Sequence, residues 1–145
     1  MELKLPKVST LFKDIERDSD DRGRILSIVD HPIKNVSIID SNPNSMRSNH
    51  FHHKDFHFMY VLYGEIDYFF KPVESNDVTY LKIKEGDSIF TPNNEIHSCH
   101  FPTHTRLVVS SGFPRDQDTY EADTVRVDFI NKENLNKMIE IYGKK

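Results

Sequence analysis

The chain has 145 residues, 37% hydrophobic and 29% charged, which suits one packed domain and excludes a disordered segment. A net charge of -4 gives no cationic footprint for nucleic acid, no apolar run reaches the length of a membrane span, and a lone cysteine, Cys99, excludes an internal disulfide framework. The start MELKLPKVST lacks the apolar centre of a secretory signal, so the expectation is a cytoplasmic protein acting on a small molecule.

In chain order, the acidic stretch Asp14 to Asp21 reads as a solvated turn, and RILSIVD (24–30) after Gly23 as the first clear strand. KNVSIID (34–40) is a second strand, ended by the turn cluster SNPNS. Then follow FHFMYVLY (56–63), Gly64 and EIDYFFK (65–71), VTYLKIK (78–84), the turn EGD, SIFTP (88–92), EIHSCHF (95–101), TRLVVSS (105–111) and TVRVDFI (124–130). Short strands rich in Val, Ile, Phe and Tyr predict an antiparallel barrel or sandwich. Strand 56–63 is apolar on both faces, so one face is expected to line the interior and the other to meet a second sheet or a partner subunit in a homodimer. The segment GFPRDQDTYEADTVRVDF reads as a loop and an edge strand. A helix is expected over about 132–142, with Asn131 as its N-cap and Gly143 just past its end.

Half of the eight histidines, His50, His52, His53 and His57, fall within eight positions. On a strand His50 and His52 point to one face, whereas His53 points away unless the polar His53-Lys54-Asp55 is a turn. His57 then opens the next strand and His97 lies forty residues on in another. Two near imidazoles, one moderately close and one remote are what a barrel interior could gather around a metal. His31, His53, His100 and His104 read as peripheral. No Gly-rich phosphate loop and no G-x-S-x-G elbow is present, which leaves Walker-type phosphate binding and serine-hydrolase chemistry unsupported.

The spacing His50, one residue, His52, four residues, His57, six residues, Gly64 resembles the first signature of the cupin superfamily. Gly86, five residues, Pro92, one residue, Asn94, two residues, His97 resembles its second. The resemblance implies a cupin double-stranded β-helix, a jelly-roll barrel over about residues 22–130 with a short C-terminal helix, in a single domain. It also implies a divalent metal (Zn, Fe, Mn or Ni) on His50, His52, His57 and His97. His57 stands where the family commonly has glutamate, turning a three-His, one-Glu set into a four-His set. Asn94 stands where glycine is common, and asparagine tolerates the positive φ that such a turn needs.

A narrower resemblance runs through DDRG (20–23) and Arg47-x-x-His50-x-His52 to small cupins that act on nucleotide-linked sugars, the deoxysugar 3,4-ketoisomerases and 3,5-epimerases, and to cupin domains of capsular polysaccharide enzymes. It implies an isomerase or epimerase of polysaccharide biosynthesis, with Arg47 near a diphosphate and His50 as base or as holder of a carbonyl-polarising metal. The acid partner is drawn from Tyr60, Tyr63, Tyr68 or His52, and Tyr60 joins His50 and Arg47 as a catalytic candidate. A metal-dependent oxygenase and a non-catalytic small-molecule binder are the alternatives.

Overall fold

Apolar residues at a spacing of two make strands, and the computed structural model, which describes residues 4–13 and 15–143, is mostly β. Asp14, within the acidic stretch, lies outside the described residues. In chain order the strands begin with β1 (Thr10–Phe12), β2 (Glu16–Asp20), β3 (Gly23–Leu26), β4 (Asn35–Ser41), β5 (Ser45–His52) and β6 (His57–Tyr63). They continue with β7 (Glu65–Pro72), β8 (Thr79–Lys84), β9 (Ser88–Thr91), β10 (Glu95–Phe101) and β11 (Thr105–Ser111). Helix α1 (Gln117–Asp123), β12 (Thr124–Arg126) and helix α2 (Leu135–Tyr142) complete the chain.

One five-stranded antiparallel sheet has the order β1-β9-β6-β11-β4 and the other β12-β5-β10-β7-β8, while β2 and β3 form a separate hairpin. From β4 to β7 the chain crosses from one sheet to the other at every connection, so neighbours in sequence face each other across the interior. That interior is filled by Met59, Val61, Leu107 and Val109 from one sheet and Ile66, Tyr68, Ile83 and Phe101 from the other. Each fully buried aliphatic side chain here, such as Val61 or Ile66, contributes about 1.5–3 kcal/mol by leaving water.

Several expectations need correcting. Within the acidic stretch, Glu16–Asp20 form the exposed strand β2, paired with β3 alone and open to water, and only Asp21 lies in a turn, the one that joins the two strands. The strand expected over 24–30 stops at Leu26, and that over 124–130 shortens to three residues. The segment read as loop and edge strand contains α1, whose N-cap Asp116 accepts a bond from the backbone of Thr119. Helix α2 starts at Leu135 with Asn134 as its cap, because Asn131 instead closes a turn by accepting from the backbone N–H groups of Glu133 and Asn134. Leu135, Met138, Ile139 and Tyr142, at helical spacing, lay that helix on the outer face of the second sheet around Phe69 and Ile96. The outer face of β6 is covered by the chain itself: Phe58 packs on Phe12 and Phe90, so apolarity on both faces of that strand does not by itself call for a partner subunit. Among the described residues no helix is long and apolar enough to cross a membrane.

Gly64, at the β6–β7 turn, has φ +94° and would bring a Cβ to 2.6 Å from the carbonyl oxygen of His104 and 2.7 Å from Cα of Thr105. Backbone, not a flexible tip, blocks the space. Gly64→Ala is expected to destabilise the fold by about 3 kcal/mol or more, read as a shifted denaturation midpoint.

Candidate metal centre

Three strands bring the imidazoles together. In the β5–β10 pairing His50 lies opposite His97, and in the β5–β12 pairing His52 lies opposite Thr124. His57 arrives from the facing sheet on β6. The β5 strand carries a bulge: the register with β10 slips between His97 and Ser98, and Ser48 and Asn49 both adopt positive φ. Asn49 is fixed there by two side-chain bonds with the backbone of Ile130. The extra residue has a consequence for the sequence pattern. Residues 47 and 50 would fall on opposite faces of a regular strand, but here Arg47 pairs with Cys99 and His50 with His97, so both point inward. Asn94, with φ 57°, makes the β9–β10 turn and donates its N–H to the carbonyl of His52, joining the two motifs. The bend at His53 and Lys54 is the turn expected there.

His50, His52 and His97 form a buried group in which one ligand nitrogen from each lies within 4.8 Å of the others. His57 stands beside it, its Nε2 3.4 Å from Nε2 of His97. Two imidazole nitrogens sharing a tetrahedral ion at 2.0–2.1 Å would stand about 3.4 Å apart.

The hydrogen bonds determine which nitrogens are free. The carbonyl of Glu95 can only accept, so Nδ1 of His97 carries the proton and Nε2 presents its lone pair. Thr124 gives its hydroxyl proton to the carbonyl of Tyr120, so its oxygen accepts from Nδ1 of His52, leaving Nε2 of His52 as the lone-pair nitrogen. Nε2 of His52 and Nδ1 of His57 are buried with no partner among the described residues. The unpaired Nε2 of His52, on a ring oriented by Thr124, suits a metal ligand, and His50, His52 and His97 could hold an ion. Thr124→Val would free the His52 ring to turn, and is expected to weaken metal binding 10- to 100-fold with the fold intact, measured by competition with a chromogenic chelator.

Electrostatics point the same way. Burial, then the neighbouring His97 and His52 and the guanidiniums of Arg115 and Arg126, push His50 down to about 2. Burial, then Arg115, lowers His52 to about 4. Burial lowers His97 to about 3 and holds His57 well below the ordinary imidazole value. Neutral imidazoles are the form that ligates.

The cluster opens into a cavity of 320 Å³. Arg47, His50, His57 and Cys99 line it, and so do Arg115, Tyr120 and Arg126, for which the sequence reading found no role. Most of its remaining wall is apolar, including Met59, Leu107 and Val109, and among the described residues no carboxylate lines it. The ring of Tyr120 lies 5.5 Å from that of His52 and 6.3 Å from that of His50. Tyr60 does not reach the cavity: His57, Met59 and Val61 face inward along β6, so Tyr60 faces out. Tyr68 is interior, its hydroxyl engaged by Ser9 and Thr91, and Tyr63 lies on the surface against His104. Burial pushes the Cys99 thiol up to about 12, as for an inert core residue.

A family model described as Cupin matches residues 34–140. No curated protein matches the sequence. Among solved structures, the chain is similar to QdtA, a sugar 3,4-ketoisomerase from Thermoanaerobacterium thermosaccharolyticum seen in complex with TDP, at 18% identity and TM-score 0.66, covering 97% of this chain and 98% of that one. It is similar to WlaRA, a TDP-fucose-3,4-ketoisomerase from Campylobacter jejuni, at 14% identity and TM-score 0.64, covering 81% and 87%. It is also similar to the capsular polysaccharide assembling protein CapF from Staphylococcus aureus, at 20% identity and TM-score 0.61, covering 77% of this chain and 31% of that one. At these identities the likeness is one of fold.

Proposed function

This chain belongs to the cupin family, and from that premise we propose that it is a metal-binding isomerase or epimerase acting on a nucleotide-activated sugar in polysaccharide biosynthesis. The observation that carries the reading is the meeting, in one cavity, of His50 and His57 from the imidazole cluster with Arg47, Arg115 and Arg126. His50, His52, His57 and His97 would hold a divalent ion, Zn, Fe, Mn or Ni, which when bound supplies Lewis-acid polarisation of a sugar oxygen.

Arg47 is held by Ser41 Oγ at 2.8 Å and the carbonyl of Asp40 at 3.0 Å, both neutral acceptors, so its charge remains available to a diphosphate. His50, pushed to about 2, is too weak a base to carry a proton at neutral pH, which favours its role as ligand. The proton that moves in an isomerisation then falls to Tyr120, the phenol lining the cavity beside His50 and His52. The apolar wall keeps water from the carbon acid once a ligand fills the space. The homodimer belongs to the same proposal, with the edge strand β4, which exposes Val36 and Ile38, as its candidate face.

The test is solvent-deuterium exchange into TDP-4-keto-6-deoxyglucose, a ligand seen in a variant of the similar ketoisomerase QdtA, followed by mass spectrometry with each metal in turn. The expected result is one deuterium gained beside the carbonyl, lost in His97→Ala and in Tyr120→Phe. Absence of exchange with every metal contradicts the reading. A second reading, a metal-dependent oxygenase, draws on the apolar wall beside the imidazoles, and oxygen uptake by the iron-loaded protein would favour it.

A further inference from the structure

Packing does little to hold helix α1 and strand β12. No residue of α1 is buried, and a cavity of 390 Å³ separates it from the turn after β5, with Tyr120 and Ala122 on one wall and His53 and Lys54 on the other. Strand β12 has only three residues, pairing Thr124, Val125 and Arg126 with His52, Phe51 and His50. So short a ladder leaves its register to other contacts, and a slip of one residue would carry Thr124 to the opposite face, away from the His52 ring.

At the end beside His52 those contacts come from one residue. Asp123, the last residue of α1, accepts the backbone N–H of Lys54 on Oδ1 and that of Asp55 on Oδ2, both at 2.9 Å. Its carbonyl accepts the N–H of His53 at 3.0 Å. Three bonds therefore continue the β5–β12 ladder past its last pair and grip the three residues that follow His52. The next residue along, Thr124, lies opposite His52; its oxygen stands 3.2 Å from Nδ1 of that ring, while its proton goes to the carbonyl of Tyr120 at 2.6 Å. The other end of β12 is secured separately, by Val127 on the carbonyl of Asn49 and by the Asn49 side chain on Ile130.

On the metal-binding reading, on which this rests, we propose that Asp123 is a positioning residue of the metal centre. By tying the turn after His52 to the end of α1, it sets the Thr124 hydroxyl against Nδ1 of His52 and so presents Nε2 of that ring to the ion. The Asp123 carboxylate itself bonds to backbone alone among the described residues, and acts through Thr124.

Zinc affinity of the full chain, measured by competition with a chromogenic chelator, tests this in a double-mutant cycle with Thr124→Val. Asp123→Ala is expected to weaken binding about tenfold in the parent but less than about twofold in the Thr124→Val background, where the hydroxyl it places is already gone. A residue that merely supported the fold would weaken both alike. Asp116→Ala, which removes the N-cap of α1 but touches neither the turn nor Thr124, is expected to leave the affinity unchanged. An unchanged affinity in Asp123→Ala, losses that multiply in the double variant, or an equal loss in Asp116→Ala overturns the role of Asp123 alone. An imidazole set that takes manganese, iron or nickel also takes zinc, so a parent that binds none sinks the metal-binding reading itself and the role of Asp123 with it. If Asp123→Ala fails to fold, Asp123→Asn keeps one acceptor oxygen but turns amide N–H groups toward a backbone N–H. The same cycle is then expected to show a loss of about threefold that Thr124→Val abolishes.

Discussion

Stripped of metal, the protein is expected to melt at sharply lower temperature as pH falls from 7 to 5. The cause is the imidazole cluster. Burial first, and then the positive fields of neighbouring histidines and Arg115, hold His50 at about 2, His52 at about 4 and His97 at about 3, with His57 also well below its ordinary value. In the unfolded chain each would take up a proton near pH 6.5. Below that pH the unfolded state therefore binds more protons than the folded one, and stability falls with pH by about 1.4 kcal/mol per group per unit. Three such groups amount to on the order of 6 kcal/mol by pH 5, or roughly 15 °C in melting temperature. Melting curves in a chelator at pH 5, 6, 7 and 8 read this directly. A His50→Asn/His97→Asn variant should flatten the dependence, and a parent whose melting temperature does not move between pH 7 and 5 would contradict the buried, neutral cluster.

Asp67→Ala is expected to destabilise the fold by about 3 kcal/mol while leaving metal content untouched. Asp67 is buried on the outer side of the second sheet, where its Oδ1 accepts from Tyr80 at 2.5 Å and Lys82 at 2.9 Å, and its Oδ2 from Nδ1 of His100 at 2.8 Å. Burial opposes the charge, but the bonds from Lys82, Tyr80 and His100 outweigh it and hold the carboxyl below the usual range. Removing it orphans the Tyr80 hydroxyl and a buried imidazole N–H, while Lys82 can turn to Glu65, 3.4 Å away. Asp67→Asn keeps the shape and part of the bonding and should cost less than half as much. Chemical denaturation gives both values. A cost below 1 kcal/mol for the alanine variant would show that the cluster is solvated rather than structural.

The fold was legible because its signals are local. Alternation marks the strands, Gly64 and Gly86 mark turns at positive φ, and the two motif spacings fall on β5, β6 and β10, as they must to bring His50, His52, His57 and His97 to one end of the interior. Tyr60 could have been excluded from the same alternation, since it lies three residues from His57 on one strand and must face the other way. Arg115, Tyr120 and Arg126 could not have been found so. They reach the cavity because β12 pairs with β5, and nothing local in TVRVDFI says which strand it will join. The bulge at Ser48 and Asn49 is equally hidden, although the three-residue step from Arg47 to His50 only makes sense with it. Helix α1 has too few apolar positions to announce itself and depends on its Asp116 cap and on the contacts Asp123 makes with Lys54 and Asp55.

Metal ligation is the proposed reason that the four histidines gather. Elemental mass spectrometry on untagged protein purified without chelator, beside a His50→Ala/His52→Ala variant, tests it most directly. About one divalent transition-metal ion per chain is expected in the parent and none above background in the variant. A parent that is metal-free, or a variant that retains its ion, would contradict it.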